Sequence, residues 1–159
     1  MKFFLILFIV IINSLLADNT YSTHSNWLIN TKSISQKFQM IQTQFRGYDL
    51  AMVEVGYRFN TFYFAIQDKN YDLARYQLDK IKLAIENGVQ RREKRKKNSE
   101  AMFLTTQYKV MNKALLTQNH SSVVKEYEVM KRLCNACHVV EKVPFIHVID
   151  PIYRWQPIK

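Results

Sequence analysis

A chain of 159 residues is long enough for one domain, with or without a targeting segment, and too short for a two-domain enzyme of ordinary size. Hydrophobic residues make up 48% and charged residues 23%, so the chain can bury a core and is not disordered by composition. The presence of only 3 Gly and 3 Pro disfavours the turn-rich all-β architectures. The formal charge of +10 favours anionic partners or surfaces.

The N-terminal segment has the three parts of a secretory signal peptide, which we assign to residues 1–17. Lys2 precedes the apolar run Phe3–Ile12, and the small residue Ala17 is followed by polar residues. The run is shorter than the about 20 apolar residues that cross a bilayer, which favours a cleaved signal over an uncleaved anchor. We expect export to an oxidising periplasm, no membrane anchor in the mature protein, and a flexible arm over residues 18–33.

Two amphipathic helices follow in chain order. The first extends from Ile34 to Ile66, where ten apolar positions alternate spacings of four and three. Asp68 or Asn70 caps the second, which ends in the basic run Arg91–Lys97. The apolar face of this second helix consists of Tyr71, Ala74, Leu78, Ile81 and Ile85.

Two further helices complete an all-α fold. The third begins near Asn98–Glu100, and the fourth follows the cap residue Asn119. Their apolar faces are Leu104, Tyr108, Met111 and Leu115, then Val123, Tyr127, Met130, Cys134 and Cys137. We therefore predict an antiparallel four-helix bundle over residues 34–143, with all three prolines confined to an irregular C-terminal tail at 144–159.

The last helix carries the pentapeptide Cys134-Asn135-Ala136-Cys137-His138, which matches the c-type haem attachment motif Cys-x-x-Cys-His. Residues three apart project from one helix face, so both sulfurs can reach the vinyl groups of one porphyrin. The adjacent His138 then supplies an imidazole as the proximal iron ligand. The prediction is one covalently attached haem c held by Cys134, Cys137 and His138.

Three other chemistries compete for the two cysteines. A thioredoxin-like redox pair would lie near a βαβ pattern, which the sequence does not contain. A zinc site would need a fourth ligand, with His120 or His147 as the candidates, but paired-ligand spacing is lacking. A disulfide across two intervening residues would be strained and would stabilise little. These arguments weaken the competing chemistries without excluding them. A non-haem metal-binding or structural helical module stays as the second alternative.

A four-helix bundle with Cys-x-x-Cys-His in its last helix resembles cytochrome c-prime, a family of periplasmic monohaem proteins. The chain also looks like a group of small exported bacterial haem-binding cytochromes, over roughly residues 34 to 150. The matching segments are Arg58-Phe59 through Tyr63-x-Ala65, Asn70-Tyr71-x-Leu73-Ala74-x-Tyr76-x-Leu78, and the pentapeptide followed by Phe145-Ile146. The resemblance implies the same roles for Cys134, Cys137 and His138.

The ligand on the side of the iron opposite His138 distinguishes the leading function, electron transfer, from its first alternative, gas binding. Met52, on the predicted first helix, is the candidate distal ligand, and a ligand there suits one-electron transfer. In cytochrome c-prime a non-ligating side chain of the first helix fills this place, which leaves a five-coordinate iron that binds gases. We expect an electron carrier, with the gas-binding haem protein as the alternative.

The expected partner is an acidic redox protein, because Arg91–Lys97 carries six positive charges that steer anionic surfaces. The same run is also typical of a solvated helix end, where cations complement the helix dipole. Export makes nucleic acid an improbable partner, and an exposed stripe on the first two helices allows a homodimer. The chain shows no acid–base pair or activated nucleophile, so we do not expect an enzyme.

Overall fold

The computed structural model of this protein describes residues 26–159. The predicted signal peptide at 1–17 and the first eight residues of the predicted arm lie outside the described residues. Described residues 26–44 belong to one compact unit and residues 45–159 to a second.

Every regular element within residues 26–159 is helical, which confirms the predicted all-α class. Four helices longer than ten residues lie in the second unit. The α-helices are α1 (Ile34–Gln44), α2 (Tyr48–Gln67), α3 (Tyr71–Arg91), the short α4 (Lys96–Ser99), α5 (Gln107–Thr117) and α6 (His120–Val140).

The continuous helix expected from Ile34 to Ile66 is wrong, because α1 ends at Gln44 and α2 begins at Tyr48. Arg46 takes a positive φ of 56°, which ends the regular helix. The Asp49 carboxylate accepts the Gly47 backbone N–H at 3.1 Å and pairs with the Arg46 guanidinium, which stabilises this break. The apolar residues keep their spacing of three and four across this break, so the pattern alone does not reveal where the helix is interrupted.

Residues 26–44 form a turn followed by the helix α1. No side chain of that helix is buried. The Thr31 hydroxyl donates to the Trp27 carbonyl at 2.9 Å within this unit. Residues 34–44, predicted to be part of the bundle, therefore lie in the first unit rather than with α2 to α6.

The second unit has one apolar core, to which α3 contributes the whole face predicted from its sequence. That face is Tyr71, Ala74, Leu78, Ile81 and Ile85, all buried. The predicted caps are also present: the Asn70 side chain accepts the Leu73 N–H and the Asn119 side chain accepts the Ser122 N–H, both at 3.0 Å.

The segment between α3 and α5 is less regular than the single helix expected there. A 3₁₀ turn at Glu93–Arg95 leads into α4, which continues as a π-helical stretch at Glu100–Leu104. The Thr105 and Thr106 hydroxyls each donate to a carbonyl five residues earlier, at 2.8 and 3.0 Å, and so support the wider turn. Such π-helical stretches often occur beside functional sites.

Among the residues that the structure describes, no helix combines the length and the apolar character needed to cross a membrane.

Candidate functional site

The three predicted haem-attachment residues lie within five residues of α6, near its C-terminal end. Cys134 and Cys137 are unpaired and half-buried, and His138 follows Cys137 directly. Because α6 is regular through Val140, the two sulfurs project from neighbouring positions of the same face. The spacing that the sequence suggested is therefore present as side-chain geometry.

The His138 imidazole is oriented by the chain that follows α6. Its Nδ1 atom lies 2.7 Å from the Ile146 carbonyl oxygen. A carbonyl oxygen only accepts hydrogen bonds, so Nδ1 is the donor, and in the neutral imidazole this leaves the lone pair on Nε2. This is the tautomer of a metal-ligating histidine whose other nitrogen donates to a backbone carbonyl.

Tyr48 is the first residue of α2 and is half-buried against the core. Burial raises the pKa of Tyr48, and its hydrogen bond with Ser99 offsets part of that rise. The Tyr48 hydroxyl pairs with the Ser99 hydroxyl at 2.7 Å. Tyr48 thereby links α2 to the end of α4 beside the pentapeptide.

A polar clamp holds the end of α6 that follows the pentapeptide. The Arg95 guanidinium forms an ion pair with Glu141, the residue that caps α6, and also donates to the Glu141 backbone carbonyl at 3.2 Å. Asn98 donates to the same carboxylate at 2.8 Å. One member of the basic run is therefore a structural residue, whereas Lys94, Lys96 and Lys97 are exposed to solvent as a solvated helix end predicts.

The folded environment makes both thiols weak acids. Burial, with a further contribution from Cys137, raises the pKa of Cys134 to about 12. Burial also raises the pKa of Cys137, and the nearby Arg95 guanidinium offsets part of that rise. Reactive redox pairs contain a cysteine whose pKa is lowered instead, so this environment does not match that of a thioredoxin-like site.

Met52 lies on α2 one turn after Tyr48 and is half-buried against the same core that Cys134 borders. Tyr48, Met52 and Cys134 all border the core of the second unit, without a specific contact between Met52 and His138. His147 is exposed and lines a groove of about 450 Å³ with Lys131 and Arg132.

A zinc site built from the pentapeptide lacks its remaining ligand in residues 26–159. His120 begins α6, and 14 residues of helix separate it from Cys134, which is about 21 Å along the axis. Its Nδ1 lies instead 3.3 Å from the Tyr71 hydroxyl. Over this part of the chain, no group of three or more His, Cys, Asp or Glu side chains is arranged to hold a metal ion.

Neither a known family, nor a curated protein, nor a solved structure matches this chain. Its site is therefore interpreted from its own residues.

Sequence reasoning missed the polar residues that support His138, namely Asn135 inside the pentapeptide and Asp150 in the tail. Asn135 pairs with both backbone groups of Val148, at 2.7 and 3.0 Å, and Asp150 accepts the Tyr127 hydroxyl at 2.6 Å. No periodic pattern in the sequence indicates these contacts, because the tail has no regular secondary structure.

Proposed function

We propose that this chain is an exported monohaem c-type cytochrome that carries single electrons in the periplasm, on an antiparallel four-helix bundle. Two contacts support the antiparallel order of α2 and α6. Early in α2, the Tyr48 hydroxyl pairs with Ser99, and the neighbouring Asn98 donates to Glu141 at the C-terminal end of α6. Later in α2, Phe59 and Tyr63 pack on Tyr127, earlier in α6, with ring centroids 5.6 and 5.5 Å apart.

The observation that carries the proposal is the hydrogen bond from His138 to the Ile146 carbonyl, next to two unpaired cysteines on the same helix face. That bond leaves Nε2 available to bind iron and fixes the ring orientation. The residues present therefore fit a haem c group.

Cys134 and Cys137 would hold the group through thioether bonds, and His138 would be its proximal ligand. When bound, haem supplies an iron centre that changes oxidation state by one electron. Thioether formation consumes both thiols, which removes the only two cysteines from the oxidising chemistry of the periplasm. Tyr48, Met52 and Val55 of α2 are partly buried against the core that Cys134 also borders, and we propose that they limit the access of water to the haem.

The remaining parts of the proposal follow from this assignment. We propose Met52 as the distal ligand of the iron and an acidic redox protein as the partner, attracted by the exposed lysines of the basic run. We also propose that its role is electron transfer rather than catalysis of a substrate reaction, because the sequence shows no acid–base pair or activated nucleophile apart from the haem motif.

The test is the visible spectrum of the full chain after periplasmic expression with a haem maturation system. We expect a c-type spectrum in the wild type and a changed ligand field in His138→Ala. The matched control, His147→Ala, removes an exposed histidine nine residues away and is expected to leave the spectrum unchanged. A His138→Ala spectrum equal to that of the wild type would contradict the assignment of the proximal ligand.

Carbon monoxide separates electron transfer from the gas-binding alternative. A reduced wild-type spectrum that does not change on adding carbon monoxide supports a six-coordinate electron carrier. A large change would show an open iron site and would favour the five-coordinate, cytochrome c-prime-like protein.

A further inference from the structure

The chain after α6 turns back along that helix and contacts it at three successive points. The Ile146 carbonyl accepts from His138, the Val148 backbone pairs with Asn135, and the Asp150 carboxylate accepts from Lys131 at 2.7 Å and from the Tyr127 hydroxyl. The contact points move toward the start of α6 as the chain proceeds. We call residues 144–150 the strap.

Asn135 is the central attachment of the strap. Its side-chain oxygen accepts the Val148 N–H at 2.7 Å, and its side-chain N–H donates to the Val148 carbonyl at 3.0 Å. One amide thus satisfies both backbone groups of a single tail residue, which fixes that residue's position and orientation. Val148 is two residues from Ile146, so the carbonyl that meets His138 is held by this pairing.

Asp150 is the second attachment. Burial alone would raise the pKa of Asp150, but the hydrogen bonds from Lys131 and Tyr127 lower it below its ordinary value. The carboxylate is therefore charged at neutral pH and accepts two hydrogen bonds, which are strengthened by its charge. The same bonds hold the Tyr127 ring, which belongs to the buried core.

Polar contacts hold most of the strap in place. Three of its apolar side chains, Phe145, Ile146 and Ile149, are 81%, 51% and 61% exposed, whereas Val148 is half-buried against the core. Further along, the Asn60 side chain bonds the backbone of Tyr153 and Trp155 at 3.0 and 3.1 Å. Loss of the Asn135 pairing would therefore loosen the strap around Ile146 and Val148, while Asp150 and the rest of the tail stay attached.

We propose that the strap is a positioning device for the proximal ligand, in which Asn135 and Asp150 hold the Ile146 carbonyl against His138 and so set the reduction potential of the bound haem. This proposal rests on the proposed function. A hydrogen bond to the carbonyl makes the imidazole more basic, and a more basic ligand favours ferric over ferrous iron. Release of the strap weakens that preference and raises the potential.

The test compares haem-loaded wild type with Asn135→Ala by redox titration and by hydrogen exchange of the Val148 N–H. We expect faster Val148 exchange and a higher potential in the variant. A tenfold loss of the preference for ferric iron corresponds to a rise of about 59 mV. Asp150→Ala, which breaks the second attachment, is expected to shift both quantities in the same direction.

The matched control is Ala136→Ser, which changes the other variable position of the pentapeptide, an exposed residue with no strap contact. Its potential is expected to equal that of the wild type. If Asn135→Ala does not accumulate as folded protein, Asp150→Ala decides the question with the same two measurements. A freed strap, seen as faster Val148 exchange, together with an unchanged potential would overturn the positioning role.

Failure of the two proposals is distinguishable. If the wild type carries haem but the potential does not respond to the strap variants, only the strap proposal fails. If the wild type carries no covalent haem, the proposed function itself fails, and the strap loses its ligand-positioning role with it.

Discussion

Gly88 of α3 offers the sharpest test of how α2 and α3 pack beside the site. A Cβ atom at this position would lie 2.8 Å from the Ala51 Cβ and 3.0 Å from the Tyr48 Cδ2. The Ala51 Cβ is fixed to the backbone and cannot rotate away, so Gly88→Ala forces the two helices apart. Gly56, in the interior of α2, is the matched control because a Cβ there meets nothing within 4 Å.

The expected magnitudes follow from two terms. Replacing a helical glycine by alanine gains about 1 kcal/mol in either variant. Overpacking costs about 1–3 kcal/mol in Gly88→Ala alone. We therefore expect Gly56→Ala to be more stable than the wild type and Gly88→Ala to be less stable than Gly56→Ala by about 1–3 kcal/mol.

Thermal unfolding followed by circular dichroism measures this difference. For a unit of this size the two variants should differ in Tm by about 4–12 °C. The double variant Gly88→Ala/Ala51→Gly removes the clash. Its loss of stability is expected to be smaller than the sum of the losses in the two single variants. Equal Tm values for Gly88→Ala and Gly56→Ala would refute the close approach of α2 and α3.

Three further predictions concern the site and its surface. Met52→Ala is expected to shift the visible spectrum and to admit carbon monoxide, whereas identical spectra would remove Met52 as a ligand. The folded-state pKa of Asp150 is lowered, so its stabilisation is present above the unfolded pKa of about 3.9 and is lost as pH falls through the folded pKa. Asp150→Asn should therefore be less stable than the wild type at neutral pH, and a stability difference that persists in strong acid would contradict this. Reduction by an anionic reagent should slow as ionic strength rises, and less so after Lys94 and Lys97 are changed to Gln; rates that ignore salt would contradict steering.

The parts of the fold that local sequence determines were predictable. The apolar face of α3 and the caps Asn70 and Asn119 depend on residues within a few positions of one another. The Cys134–His138 pentapeptide lies on the regular helix α6, and its role in holding haem stays a prediction.

The parts that depend on distant contacts were not predictable. The break at Arg46 leaves the apolar spacing intact, and the π-helical stretch depends on two threonine hydroxyls that compete with ordinary helical hydrogen bonds. The strap joins Asn135 to Val148 across an irregular segment, and Asn60 joins the tail from 95 positions away in sequence. Such polar pairings follow no period, so only the folded chain reveals them.

The most direct test of the central claim is the intact mass of the exported protein under denaturing conditions. We predict the mass of the processed polypeptide plus one haem, and the loss of that addition in the double variant Cys134→Ser/Cys137→Ser. A wild-type mass equal to the polypeptide alone, obtained while a known c-type cytochrome matures in the same cells, would contradict covalent haem attachment.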